Sequence, residues 1–126
     1  MKLTLKFGLP FVEVVLIHKS KRVHLSNVLI DTGSASTIIS ADIAFDLDLT
    51  PEPFDKIRRI HGIGGVEFVY EKFIDGITLD AVVVSHPRVQ VGTMDYGIEI
   101  NAILGVDFLA ASKVIIDMGK MTICSY

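Results

Sequence analysis

The chain has one cysteine, Cys124, and no tryptophan in 126 residues. A single cysteine excludes an intrachain disulfide framework, and His18, His24, His61 and His86 fall in no zinc-ligand spacing, so no metal site is expected. No organic cofactor is expected either. Long apolar runs are also missing: Glu13, Lys19 and Asp31 interrupt the best candidates, and no segment reads as a bilayer span. Positive charge is scarce, with 12 Lys and Arg against 15 Asp and Glu for a net charge of −3. The one compact basic cluster, Lys19-Ser20-Lys21-Arg22, falls where a hairpin should turn and reads as a solvated turn. A phosphate-binding face needs a broader basic surface, so nucleic acid is not an expected partner. The opening Met1-Lys2-Leu3-Thr4-Leu5-Lys6 lacks a signal-peptide core, which makes the cytoplasm the expected location and a membrane an unexpected partner.

What is abundant is apolar surface. Half the residues are hydrophobic, and the mean hydropathy is +0.51, high for a soluble monomer. The length predicts a single domain over 1–126 with one core. The excess predicts an apolar face kept for a cleft or a second copy of the chain.

Short β-branched and aromatic runs, separated by turn residues, predict strands almost throughout. They cover 3–7, 11–18 and 23–30, then Thr37-Ile38-Ile39-Ser40, with a turn or two of helix at 41–47 halted before Pro51 and Pro53. Residues 56–60 and the alternating 66–71 read as a long hairpin whose tip, 61–65, holds Gly62, Gly64 and Gly65 around Ile63. One strand is expected over 77–85, broken at His86-Pro87, with an extended piece at 88–91. A buried strand at 102–105, a short helix at 106–111 and a closing hairpin of 114–117 with 121–124 complete the chain. Many short strands with one or two short helices predict an all-β fold, closed or sandwich-like.

The most informative run is Ile30-Asp31-Thr32-Gly33-Ser34, an apolar strand ending in an acid followed by small polar residues, which can present a carboxylate to water. It occurs once. Asp75-Gly76, Asp95-Tyr96-Gly97 and Asp117-Met118-Gly119 are turn-like but lack the following hydroxyl, and Asp107 reads as a local cap of the 106–111 helix. The bland reading of Asp31 is a polar turn in which the side chain accepts from its own backbone.

Asp31-Thr32-Gly33-Ser34 after an apolar strand, the glycine-tipped hairpin about thirty residues on, and Ile103-Leu104-Gly105-Val106-Asp107-Phe108-Leu109 near the end together resemble a retropepsin-type aspartic protease, the single-domain relative of pepsin. The resemblance runs from about the second strand to the C-terminus. It implies a closed β-barrel of the acid-protease type, paired as a homodimer in which each copy supplies one Asp31 to a shared cleft that hydrolyses a peptide substrate. It also implies that Thr32 links the two active-site loops and that Gly33 lets the loop turn tightly. Gly62, Ile63, Gly64 and Gly65 would then be a substrate-covering flap, and Ile103, Leu104 and Gly105 would brace the loop from behind.

Peptide hydrolysis without a metal needs a base to activate water and an acid to protonate the carbonyl oxygen and then the leaving nitrogen. Two carboxylates ~3 Å apart that share one proton supply both, and they titrate as a unit. A Ser34 hydroxyl donating to that pair would favour its charged form, so Ser34→Ala should move the activity optimum upward. Ile63, Val66 and Phe68 point to apolar residues beside the cut. The terminal strands, including Met121 and Cys124, are the expected dimer contact. Two other readings share some of these residues. One is a protease-like module that grips an extended peptide without cutting it. The other, a phosphate loop of the actin-like or sugar-kinase kind, needs two α/β lobes that 126 residues with little helix do not readily build.

Overall fold

The computed structural model describes residues 1–62 and 65–126. Their strands are β1 (Thr4–Lys6), β2 (Leu9–His18), β3 (Lys21–Ile30), β4 (Ile38–Ser40), β5 (Ile57–Gly62), β6 (Gly65–Phe73), β7 (Gly76–Leu79), β8 (Val82–Ser85), β9 (Arg88–Gly92), β10 (Ala102–Leu104), β11 (Val114–Asp117) and β12 (Thr122–Ser125). Two short helices interrupt them, α1 (Ala41–Asp46) and α2 (Val106–Ser112). Neither is long and apolar enough to cross a membrane.

The main sheet runs β5-β6-β9-β4-β10-β3-β2-β7-β8, with β1 paired to β2. Its centre is β10, parallel to β3 and antiparallel to β4, so Ile103 lies opposite both Leu29 and Ile38. All three residues of β10 are buried, as an unbroken apolar run requires when both faces of a strand are covered. On β2, Val12, Val14 and Leu16 join the larger core, and a register shift falls between Val12 and Val14, where exposed Glu13 is accommodated. Phe11 faces a second, smaller cluster with Leu29, Ile38, Met94, Ile100 and Ile103. That cluster lies beneath the candidate site described below.

Two expectations are corrected. The sheet is not closed into a barrel: among the described residues its path ends at β5 on one side and β8 on the other. The β5–β6 hairpin extends past β9 with Ile57 and Phe68 exposed, and α2 packs against β8. The strand expected over 77–85 is a hairpin, β7 with β8, because Asp80 turns the chain at φ +53°. No glycine or asparagine marks that turn.

The chain ends lie side by side. Lys2 bridges to Thr122, Leu3 N–H donates to the Met121 carbonyl at 2.8 Å, and Ile123 N–H donates to the Met1 carbonyl at 2.9 Å. Elsewhere, buried Lys72 bonds Glu52 at 2.6 Å and Asp55 at 2.9 Å, fastening β6 to the loop after α1. Lys21 of the basic turn is not merely solvated, since it pairs with Asp48 at 3.0 Å and donates to the Asp46 carbonyl at 3.2 Å.

Candidate active site

Asp31 follows β3 directly, and its N–H continues the β3–β10 ladder by donating to the Leu104 carbonyl at 3.1 Å. The chain then folds back on itself. Gly33 N–H donates to Asp31 Oδ1 at 2.9 Å and Ser34 N–H to the Asp31 carbonyl at 3.1 Å. Asp31 Oδ2 takes no hydrogen bond among the described residues. A Cβ on Gly33 would lie 3.2 Å from Asp31 Oδ1, so glycine serves a close approach here rather than a left-handed backbone. The loop is therefore a self-capped turn that leaves half of its carboxylate open.

Strand β10 supports this loop from behind. A Cβ on Gly105 would lie 2.4 Å from the Ser36 carbonyl oxygen and 2.8 Å from that of Ser34, distances that only a hydrogen at this position allows. Val106 N–H donates to the Ser34 carbonyl at 2.8 Å. Sequence reasoning missed the fastening beside it. Thr37 is 1% exposed; its hydroxyl donates to Asp107 Oδ1 at 2.8 Å and accepts from Gly105 N–H at 3.2 Å, while its own N–H donates to Asp107 Oδ2 at 3.2 Å. Asp107 also accepts from Phe108 N–H at 2.7 Å, so it serves the first turn of α2 and the loop together.

The Ser34 hydroxyl donates to the Ser36 carbonyl at 2.8 Å. Its one proton is committed there, which overturns the expectation that it donates to Asp31.

Asp31 opens into a cavity of about 340 Å³. Ile38, Gln90 and Ile103 line it from the central strands, Ile60 and His61 from β5, Glu67 from β6, and Tyr96 from the loop after β9. Val66 and Phe68 are exposed and do not line it, so the expectation that they face a substrate is corrected: residues alternate across a strand, and it is Glu67 between them that enters. Of the other expected site residues, Thr32 is exposed on the loop, and Leu104 lies buried behind it. Gly62 and Gly65 pair at the end of the β5–β6 hairpin, with Gly65 at φ +96°. Ile63 and Gly64 lie outside the described residues.

Three polar side chains of the cavity had no signal in the motif analysis. Tyr96 Oη donates to Glu67 Oε1, and burial, reinforced by that bond and by the charge of Glu67, pushes the phenol well above its ordinary range, so it stays a donor. Gln90 is 4% exposed, and its backbone N–H donates to the Thr37 carbonyl at 2.9 Å. Opposite it on β6, burial would raise the Glu71 carboxyl, but Arg58 at 2.9 Å, Arg88 at 4.0 Å and the Gln90 side chain together hold it below its ordinary range.

A family model described as "gag-polyprotein putative aspartyl protease" matches residues 22–111. No curated protein matches the chain. Among solved structures, a retropepsin-like aspartic protease from Rickettsia conorii superposes with a TM-score of 0.69 at 14% identity, covering 98% of this chain and 97% of that one. The matched segment spans the Asp31 loop, the β5–β6 hairpin and the Ile103-Leu104-Gly105 support, and the chain accordingly belongs to the gag-polyprotein aspartyl protease family, with a retropepsin-like fold.

Proposed function

We propose that the protein is an aspartic endopeptidase whose catalytic residue is Asp31, acting as a pair contributed by two copies of the chain. The observation that carries this reading is one open carboxylate, on a loop braced by β10 and α2, at the floor of a cavity large enough for a side chain. A lone carboxylate cannot hold the base and the acid of peptide hydrolysis at once, whereas two sharing a proton across a twofold axis can. One Asp31 draws a proton from water as the water attacks the carbonyl carbon. The other, protonated, donates to the carbonyl oxygen; the first then passes the proton it took from water to the leaving nitrogen as the C–N bond breaks, and the new hydroxyl returns a proton to the second carboxylate as the product carboxyl forms.

In this reading, which treats 1–126 as one functional domain, Thr32 and Gly33 meet their counterparts across the axis. Gly62, Ile63, Gly64 and Gly65 form the flap over the substrate, and Ile103, Leu104 and Gly105 hold the loop at a fixed height. The adjoining chain ends supply the dimer contact, with Leu5 and Phe7 among the exposed apolar residues nearby. Ile38, Ile60 and Ile103 favour apolar residues in an extended substrate. The test is cleavage of a peptide library by the wild type and by Asp31→Asn. Hydrolysis that is blocked by a pepstatin-type inhibitor and lost in the variant is the expected result. Peptide binding without cleavage by the wild type would make the chain a binding module instead.

A further inference from the structure

Beside Asp31, the loop serines Ser34 and Ser36, His61 and Tyr96, the cavity is lined by two acceptors that Asp31 chemistry does not use. Gln90 is buried, and its Oε1 has no hydrogen-bond partner among the described residues. The amide orientation follows from its surroundings: Gln90 lies directly opposite Glu71, and a carboxylate there requires the NH₂ side as donor, which leaves the oxygen without a partner. Burying such an acceptor unpaired is unfavourable, and a partner arriving with a ligand removes the penalty.

Glu67 supplies the second acceptor. Its carboxylate enters the same cavity over Gly92, where a Cβ would lie 3.0 Å from Glu67 Oε2 and 3.1 Å from Val69 Cγ1, so the absence of a side chain at 92 makes the room. Tyr96 holds Oε1 in place as a hydrogen-bond donor. Among the described residues no cation of the chain bonds Glu67. Arg58 and Arg88 are turned to Glu71, and the exposed His61 at the cavity wall makes no bond to Glu67. A fixed carboxylate and an amide oxygen, both acceptors and both set among isoleucines, match a long apolar stem ending in a cluster of N–H donors.

We propose that Gln90 and Glu67 form a subsite that takes a lysine or arginine side chain of the bound peptide. The proposal rests on the reading that this cavity binds peptide, and it narrows the substrate from apolar segments to apolar segments carrying one cation near the cut. Anionic side chains are disfavoured by Glu67, and purely apolar ones leave Gln90 Oε1 unpaired.

The test uses a decapeptide series in which lysine, arginine, norleucine or glutamate is stepped through each position. Cleavage is measured with the wild type, and affinity is measured separately, by fluorescence anisotropy, with Asp31→Asn. At one position, lysine or arginine is expected to exceed norleucine by about tenfold in kcat/KM and in affinity. In Glu67→Gln and in Gln90→Met, each with Asp31 intact, that ratio should fall towards one. Glu67→Gln is isosteric and keeps an acceptor for Tyr96, so it separates charge from folding. Cleavage with no cationic preference at any position, or a preference unchanged in both variants, overturns the subsite while leaving the peptidase reading intact. A cationic preference in binding without hydrolysis upholds the subsite and overturns the peptidase. Failure to bind or cut any peptide overturns both.

Discussion

Thr37 and Asp107, seventy residues apart in sequence, are joined twice: hydroxyl to Oδ1 at 2.8 Å and backbone N–H to Oδ2 at 3.2 Å. This pair ties the exit of the Asp31 loop to the first turn of α2, so the height of the loop is set by a helix rather than by the loop itself. Thr37→Val keeps the shape but leaves Asp107 Oδ1 without its hydroxyl donor and Gly105 N–H without its acceptor. The expected cost is about 1–3 kcal/mol of stability, read as a lower urea midpoint with an unchanged slope. An unchanged midpoint would show the contact to be dispensable.

Gly105→Ala should be worse. Its Cβ would meet two backbone carbonyls, which cannot move without displacing the Asp31 loop, and a loss of about 3 kcal/mol or more is expected. Gly33→Ala meets only the Asp31 carboxylate at 3.2 Å and should cost less in folding. Thermal denaturation of both variants checks the order.

Lys72 predicts a pH signature. Burial would raise the Asp55 carboxyl, but the hydrogen bond from Lys72, the Glu52 N–H and the ammonium charge outweigh it and hold Asp55 below its ordinary value of 3.8. A carboxyl lowered on folding stabilises the native state above its unfolded value, and that stabilisation disappears as pH falls through the lower folded one. Lys72→Met should therefore lose about 1–2 kcal/mol near neutrality and show a shallower loss below pH ~3.8 than the wild type. Parallel acid limbs in the two proteins would contradict this.

Ser34→Ala is expected to leave the pH profile of peptide cleavage in place, because the hydroxyl serves the Ser36 carbonyl and not Asp31. A shift of the optimum would mean that the hydroxyl turns to the carboxylate when substrate or partner is bound.

The loop and its support were legible in the sequence because each is a local pattern: an acid after an apolar strand, and a glycine closing an Ile-Leu pair. The hairpin turn at Asp80 was hidden because a left-handed aspartate leaves no composition signal between Leu79 and Val82. Open ends of the sheet were hidden because strand patterning does not encode whether the outer strands β5 and β8 pair with each other. Thr37, Asp107, Glu67, Gln90 and Tyr96 share no motif; they meet only once β4, β6, β9 and α2 are assembled. Alternation along 66–71 did carry the orientation of Glu67, but only the register with β9 says which face looks inward.

The central claim is that each catalytic unit needs an Asp31 from two chains. Wild type and Asp31→Asn, co-refolded at varying ratios and constant total protein, test it directly by the rate of peptide hydrolysis. Random pairing predicts activity that follows the square of the wild-type fraction, about a quarter at equal amounts. Activity in proportion to the wild-type fraction, about a half at equal amounts, would mean that one chain suffices and would contradict the account.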